Sequence, residues 1–204
     1  LVSGDVLGPD FISTGRILNS PGPNENVLQH LVTTAQEARA AVRAQARAGF
    51  RTVKVYSNLQ REPYEAILDE AAQLGMAVTG HTPEGVRSSG VPTERPFDIA
   101  WEESLGRGFT TLEHVETIVW HGLRDDLSDG RMRDLAARLA RSGEPVTPTL
   151  IAHRRLVLIA ESDGAYLERP GSETINPFVR FVEQGAESYW SGADASRYER
   201  PHTD

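Results

Sequence analysis

Short β-branched segments alternate with longer helical segments along this chain, and this alternation is the feature that most constrains its fold. Strands separated by helical segments are typical of βα units, in which a right-handed crossover joins two parallel strands. The chain has 204 residues, enough for one substantial core. The sequence therefore predicts an α/β fold with parallel strands, in a single domain that spans residues 1–204.

The predicted strands are rich in valine and threonine, which favour extended structure. They cover residues 50–56, 76–81, 109–115 and 145–150. The last is the weakest, because its two prolines limit the hydrogen bonds that it can make in a sheet. The first 30 residues contain Gly-Pro pairs and little periodicity, so they predict a strand end and a long loop.

Helical segments separate these strands. The clearest begins with a capping box, in which Thr34 and Glu37 satisfy each other's backbone N–H groups, and it ends at Gly49. Ser128 is the expected N-cap of a later helix that ends at Gly143. The remaining predicted helices cover residues 63–75, 98–105, 152–160 and 178–190.

Composition excludes several classes of partner. The net charge is −8 and the basic residues are scattered, which argues against a nucleic-acid partner. No apolar run approaches the roughly 18 residues of a membrane span, so we expect no membrane partner. The chain has no cysteine, so any metal must be held by histidine, carboxylate or a modified lysine. Compartment and homo-oligomerisation stay open.

Three successive predicted strands end on a basic or metal-binding side chain, namely Lys54, His81 and His114. In parallel α/β folds, reactive groups gather at the carboxyl ends of the strands. Each residue also has an ordinary interpretation: a strand lysine often extends into solvent, and a single histidine is often a hydrogen-bonded structural residue. Their recurrence at matched strand ends favours a shared site.

Neighbouring residues extend this candidate site. Strand alternation places Tyr56 on the same face as Lys54, where its phenol can contact a substrate or serve in packing. His121 is a second candidate substrate contact, with an exposed loop histidine as the alternative. The same alternation predicts that Glu113 points away from His114, and that Glu116 can orient a ligand ring.

These residues carry a resemblance to a known family. In order and spacing, Lys54-Val55-Tyr56, Gly80-His81-Thr82-Pro83, Glu113-His114 and Pro148-Thr149-Leu150 resemble the amidohydrolase superfamily. The resemblance is closest to its imidazolonepropionase-like and dipeptidase-like branch and covers about residues 1–160. It implies a (β/α)8 TIM-type barrel that holds one or two divalent metal ions, usually zinc.

The resemblance also implies roles for residues. Lys54 would be the lysine of the fourth barrel strand, which is carboxylated and bridges two metals in binuclear members. His81 and His114 would be metal ligands from the fifth and sixth strands. The metal would activate a water at neutral pH for attack on a C–N bond, in a dipeptide, cyclic amide or other small-molecule substrate.

The sequence departs from the family pattern at both ends of the barrel. No two histidines are two residues apart, so the His-x-His pair of the first barrel strand is missing. Asp194 resembles the aspartate of the eighth strand, but the residues before it do not form an apolar strand, and we interpret it as a coincidence. We therefore expect a partial barrel with strands three to seven, inactive by itself. The first residue is not methionine, which indicates a removed leader or a piece of a longer chain.

A second interpretation belongs to another class of protein. A degenerate barrel or a doubly wound sheet could serve as a non-catalytic binding or assembly module. A barrel brings Lys54, His81 and His114 around one axis, whereas an open doubly wound sheet spreads them in a row. The distances between these side chains therefore separate the two interpretations.

Overall fold

The computed structural model describes residues 12–22, 25–85 and 97–177. Packing divides the chain into two compact units, Leu1–Thr147 and Pro148–Asp204. The first unit contains the parallel sheet, and the second contains one described α-helix and two short 3-10 turns. That the chain forms a single domain stays a prediction.

The first unit is built on a six-stranded parallel sheet. Its strands are β1 (Ile17–Asn19), β2 (Gln29–Leu31), β3 (Thr52–Val55), β4 (Ala77–Gly80), β5 (Phe109–Glu113) and β6 (Val146–Thr147). They lie in the order β2-β1-β3-β4-β5-β6, so that successive strands from β3 to β6 are neighbours. The predicted parallel α/β architecture is confirmed.

Three of the described α-helices belong to the first unit, and a fourth belongs to the second. They are α1 (Ala35–Arg47), α2 (Arg61–Gln73), α3 (Asp129–Ser142) and α4 (Leu150–Glu161). The capping box at the start of α1 forms as predicted, with the Thr34 hydroxyl accepting from the Glu37 N–H. Gly143 ends α3 in the left-handed conformation.

The core lies between one face of the sheet and helices α1 and α2. Val53 and Val55 of β3 are fully buried, whereas Thr52 and Lys54, which point to the other face, are half-buried. This alternation confirms the predicted facing of Lys54. Apolar residues of the sheet and of both helices form one cluster that includes Leu18, Val42, Val53, Val55, Ile67, Val78, Phe109 and Leu112.

Several predicted elements differ from those observed. The segment 98–105 forms only a 3-10 turn, Trp101–Ser104, and the strand predicted at 145–150 ends at Thr147 because α4 begins at Leu150. Ser128 precedes α3 as expected, but its side chain makes no capping hydrogen bond. The first 30 residues supply β1 and most of β2 rather than one strand end.

Two predictions fall outside the described residues, namely the helix at 178–190 and the interpretation of Asp194. No helix in the described part of the chain is long and apolar enough to cross a membrane.

Candidate active site at the carboxyl ends of the strands

The site begins on the sheet face opposite the helices. Lys54 projects from β3 on this face, and its ammonium forms an ion pair with the Glu113 carboxylate of β5. The Thr79 hydroxyl of β4, which lies between them in the sheet, donates to Glu113 Oε1 at 3.1 Å. The Thr111 hydroxyl lies 2.7 Å from Thr79 Oγ1, close enough to donate to it in turn. Three neighbouring strands therefore share one polar network.

A bulge in β5 determines that Glu113 faces this network. The β4–β5 register passes from Val78 opposite Phe109 to Thr79 opposite Thr111, so that Thr110 is the extra residue. Beyond the bulge, Leu112 joins the core and Glu113 points to the face of Lys54. The prediction that Glu113 points away from His114 is wrong.

His114 lies at the end of β5 in an unusual backbone conformation. Its φ is 72°, in the left-handed region that non-glycine residues rarely adopt. The backbone therefore leaves the strand at this residue, and the alternation that would pair His114 with Leu112 no longer applies. His114 Nε2 lies 3.7 Å from Glu113 Oε2, so two consecutive residues reach the same site.

His81 follows β4 at the point where a glycine brings two strands together. Gly80 has a φ of 129°, and a Cβ atom there would lie 2.1 Å from the Val55 carbonyl oxygen. The His81 N–H donates to that same oxygen. The His81 side chain is buried, and its ring lies 4.1 Å from the Tyr56 ring and 4.6 Å from the His114 ring, between centroids.

Glu116 completes the contacts of His81. Its Oε1 lies 3.0 Å from His81 Nε2, and because a carboxylate accepts, Nε2 carries the proton. The other ring nitrogen of His81, Nδ1, is buried without a hydrogen-bond partner. The sequence suggested Glu116 as a residue that orients a ligand ring, and the structure places it against His81.

His121 lies apart from this cluster and is buried rather than exposed, which corrects its alternative interpretation as a loop histidine. Its Nε2 donates to the Ile99 carbonyl at 2.7 Å, and the Thr82 hydroxyl therefore donates to its Nδ1 at 2.8 Å. His121 lies in a π-helical turn, Thr117–Gly122, and Thr82 follows His81 directly. His121 thus anchors the segment that carries His81; a contact with substrate stays a prediction.

The electrostatics of the cluster follow from burial and from Lys54. Burial, and then the neighbouring His81, lower the pKa of His114, which favours the neutral imidazole. Burial alone would raise the pKa of Glu113, but the hydrogen bond and charge of Lys54 outweigh it and lower the pKa. Glu113 is therefore a carboxylate at neutral pH in its contact with Lys54.

Comparisons with known proteins gave matches among solved structures only; no protein-family model and no curated protein matches the chain. Bottromycin amidohydrolase superposes with a TM-score of 0.60 at 23% identity, over 93% of this chain and 40% of its own length. Ochratoxinase from A. niger superposes with a TM-score of 0.52 at 16% identity, over 93% of this chain and 44% of its own length. A prolidase bound to N-methylphosphonate-L-proline superposes with a TM-score of 0.51 at 16% identity, over 98% of this chain and 48% of its own length.

These superpositions decide the fold. The chain folds as part of a TIM-type barrel. It spans less than half the length of these solved structures. The predicted partial TIM-type barrel is confirmed at the level of the fold. At sequence identities of 16–23%, these superpositions support the fold alone.

The residues at the carboxyl ends of these strands fit part of a metal site. His81 Nδ1 is a buried nitrogen without a hydrogen-bond partner, and the His81 and His114 ring centroids lie 4.6 Å apart, so these two imidazoles are the candidate ligands of a metal ion. Lys54 as an ammonium cannot bind a cation. Within the described residues, no three or more His, Cys, Asp or Glu side chains form a group that could hold a metal ion.

Sequence reasoning missed the contribution of Thr79 and misplaced Glu113. Thr79 looked like an ordinary strand residue, and its hydrogen bond depends on the side chain of the neighbouring strand. The sequence carries no signal for the bulge at Thr110. The adjacent Glu113-His114 pair was recognised in the sequence, but the direction in which the Glu113 side chain points depends on that bulge.

Proposed function

We propose that this protein is part of a metal-dependent hydrolase that cleaves C–N bonds in small amide, cyclic amide or dipeptide substrates. The observation that carries this proposal is the convergence of Lys54, His81 and His114 at the carboxyl ends of β3, β4 and β5. A barrel of this type forms its active site at that end. Amidohydrolases and prolidases among the superposed structures support the same class of reaction.

His81 and His114 would hold one divalent metal ion, for which zinc is the expected choice because both ligands are imidazoles. When bound, the ion would supply a nucleophilic water at neutral pH and would polarise the scissile carbonyl. A second ion would require Lys54 as a carbamate, which in turn requires Lys54 to leave its ion pair with Glu113.

The remaining side chains would prepare the site for substrate. The Thr79–Glu113–Lys54 network holds a carboxylate and an ammonium at fixed positions beside His114. Tyr56 packs against the His81 ring and, on the face of Lys54, can direct its phenol at a substrate carbonyl or carboxylate. Preorganised polar groups of this kind stabilise charge that develops during amide hydrolysis.

Metal binding is the first test. We expect zinc or cobalt(II), titrated into the metal-free chain, to bind about 10-fold or more weakly after His81→Ala or His114→Ala, since each removes one ligand. His30→Ala is the control, because His30 lies exposed on β2. Equal affinities for the wild type and both ligand variants would contradict the proposed metal site.

Substrate class is tested separately with a phosphonate that mimics the tetrahedral intermediate of amide cleavage. We expect N-methylphosphonate-L-proline, seen bound to the superposed prolidase, to bind the zinc-loaded chain more tightly than the metal-free chain. Tyr56→Phe should weaken this binding without changing zinc affinity. Binding that is independent of zinc would contradict the assignment.

These 204 residues alone are expected to hydrolyse dipeptides and cyclic amides slowly or not at all. The sequence contains no His-x-His pair, and the described histidines supply two ligands at the site, whereas catalytic zinc sites use three protein ligands. Rapid, zinc-dependent turnover by this chain would overturn the expectation.

The fold of a barrel argues against a doubly wound sheet, which leaves a degenerate barrel as the non-catalytic alternative. Because β4 and β5 are neighbours, and neighbouring strands lie about 4.8 Å apart in any sheet, the 4.6 Å between the His81 and His114 rings is compatible with both functions. Zinc binding that requires both histidines would favour the hydrolase, and its absence would favour a binding or assembly module.

A further inference from the structure

Glu116 has a place in the site that follows from the structure of the turn after β5. The His114 carbonyl accepts hydrogen bonds from both the backbone N–H and the hydroxyl of Thr117, at 3.2 and 3.0 Å. These bonds close a tight turn, and Glu116 lies within it. The turn therefore directs the Glu116 carboxylate back toward the end of β4, where it meets His81.

The contact fixes which nitrogen of His81 carries the proton. Glu116 Oε1 accepts from Nε2 at 3.0 Å, so the proton lies on Nε2. Nδ1 is buried and has no hydrogen-bond partner, and a proton there would face no acceptor. The surroundings therefore favour the tautomer that carries its proton on Nε2 and its lone pair on Nδ1.

We propose that Glu116 is a positioning residue, which holds His81 as the Nε2–H tautomer and thereby presents Nδ1 as the nitrogen that binds the metal. This inference rests on the proposed metal-dependent function. A carboxylate that accepts from the second nitrogen of a histidine ligand fixes the ring orientation and makes the ligating nitrogen more basic. Glu116 does so from a different strand end than His81.

The tautomer is measured directly, without activity and without metal. The ¹⁵N shifts of the histidine side chains in the metal-free chain distinguish the two tautomers, and His81→Ala identifies the His81 signals. We expect the Nε2–H tautomer in the wild type. Glu116→Ala should shift His81 toward a mixture with Nδ1–H, whereas Glu116→Gln should preserve the wild-type tautomer, because the amide oxygen still accepts.

Zinc titration of the same variants gives the second readout. Removing a partner of this kind lowers metal affinity by about 10–100-fold, which we expect for Glu116→Ala. Glu116→Gln should lower zinc affinity less. Glu102→Ala changes an exposed glutamate of the same unit and should bind zinc as tightly as the wild type. Circular dichroism checks that each variant folds. If Glu116→Ala does not fold, the His81 tautomers of the wild type and of Glu116→Gln still test the positioning role.

The outcomes separate this inference from the proposed function. An Nδ1–H tautomer in the wild type, or a Glu116→Ala variant with unchanged tautomer and affinity, would overturn the positioning role. Should His81→Ala leave zinc affinity unchanged while Glu116→Ala still alters the tautomer, the hydrogen bond exists but the metal-binding proposal fails.

Discussion

At the scale of single residues, the backbone conformations of Gly80 and His114 determine which side chains reach the site. Gly80 permits the close approach of β4 to β3, and the left-handed His114 turns the chain out of β5. Both residues lie where a strand ends, and both bring imidazoles to the same side of the sheet. The chemistry of the site thus depends on backbone conformation as much as on residue type.

Gly80→Ala should destabilise the fold by about 1–3 kcal/mol, because the added Cβ atom would collide with the Val55 carbonyl and the positive φ would be strained. Urea unfolding of the metal-free chain measures the loss. Gly143→Ala is the matched control: Gly143 also has a positive φ, but a Cβ atom there meets nothing within 4 Å. Equal losses for the two variants would show that strain alone, and not the collision, sets the cost.

His121→Phe should cost about 1–3 kcal/mol of stability, since it removes a buried side chain that bonds both the Thr82 hydroxyl and the Ile99 carbonyl and leaves these groups without their partner. Thermal or urea unfolding measures this. His30→Phe, at an exposed histidine of β2, should change stability little. A neutral result for His121→Phe would contradict the anchoring role.

At the scale of elements, α1 and α2 pack against each other and share one buried carboxylate. Glu70 of α2 accepts from Arg43 Nε at 2.7 Å and from Arg43 Nη2 at 2.9 Å, and Arg39 Nη1 lies 3.5 Å away. Both arginines belong to α1. The ion pairs therefore orient two helices that cover the same face of the sheet.

Glu70→Gln should destabilise the protein at neutral pH, and the difference should shrink in acid. The hydrogen bond from Arg43 outweighs burial and lowers the pKa of Glu70 below its ordinary value of 4.5. The carboxylate therefore stabilises the fold above that value, and this contribution is lost as the pH falls through the lowered pKa. Urea unfolding between neutral pH and acid measures it.

Asp69→Asn is the control for this pair of helices. Asp69 also contacts Arg39, at 3.1 Å, but its side chain is 68% exposed, and exposed ion pairs contribute little. A gap between Glu70→Gln and the wild type that stayed constant with pH would show that packing, rather than charge, explains the loss.

At the scale of the whole molecule, the described sheet ends in β2 on one side and β6 on the other. A closed barrel has no such edges, and an exposed apolar edge strand invites pairing with another chain. Residues at the β2 edge are exposed and apolar, with Val27 at 88%, Leu28 at 65% and Leu31 at 39%.

We therefore expect this chain to self-associate as its concentration rises, and Leu31→Lys to reduce the association, because a charge on an edge strand opposes pairing. Analytical ultracentrifugation measures the change. Leu150→Lys is the control, since Leu150 is 50% exposed on α4 and lies outside the sheet. A wild-type chain that stays monomeric at high concentration would contradict the expectation.

The sequence was sufficient for the elements that depend on local patterns. The capping box at Thr34, the glycine at the end of α3 and the strand around Lys54 all formed where short-range rules placed them. The 3-10 turn at Trp101–Ser104 was not predicted, because a short helical pattern does not specify how tightly the chain winds.

The sequence by itself determined that basic and imidazole side chains would end successive parallel strands, because strand and helix periodicities are local and the chain order fixes which strand follows which. Only the tertiary structure decided which carboxylates join them. Glu113 faces Lys54 because neighbouring strands impose a bulge, and Glu116 meets His81 because a turn brings together residues that are 35 positions apart. Such contacts depend on the register between strands, which no pattern within a single strand records.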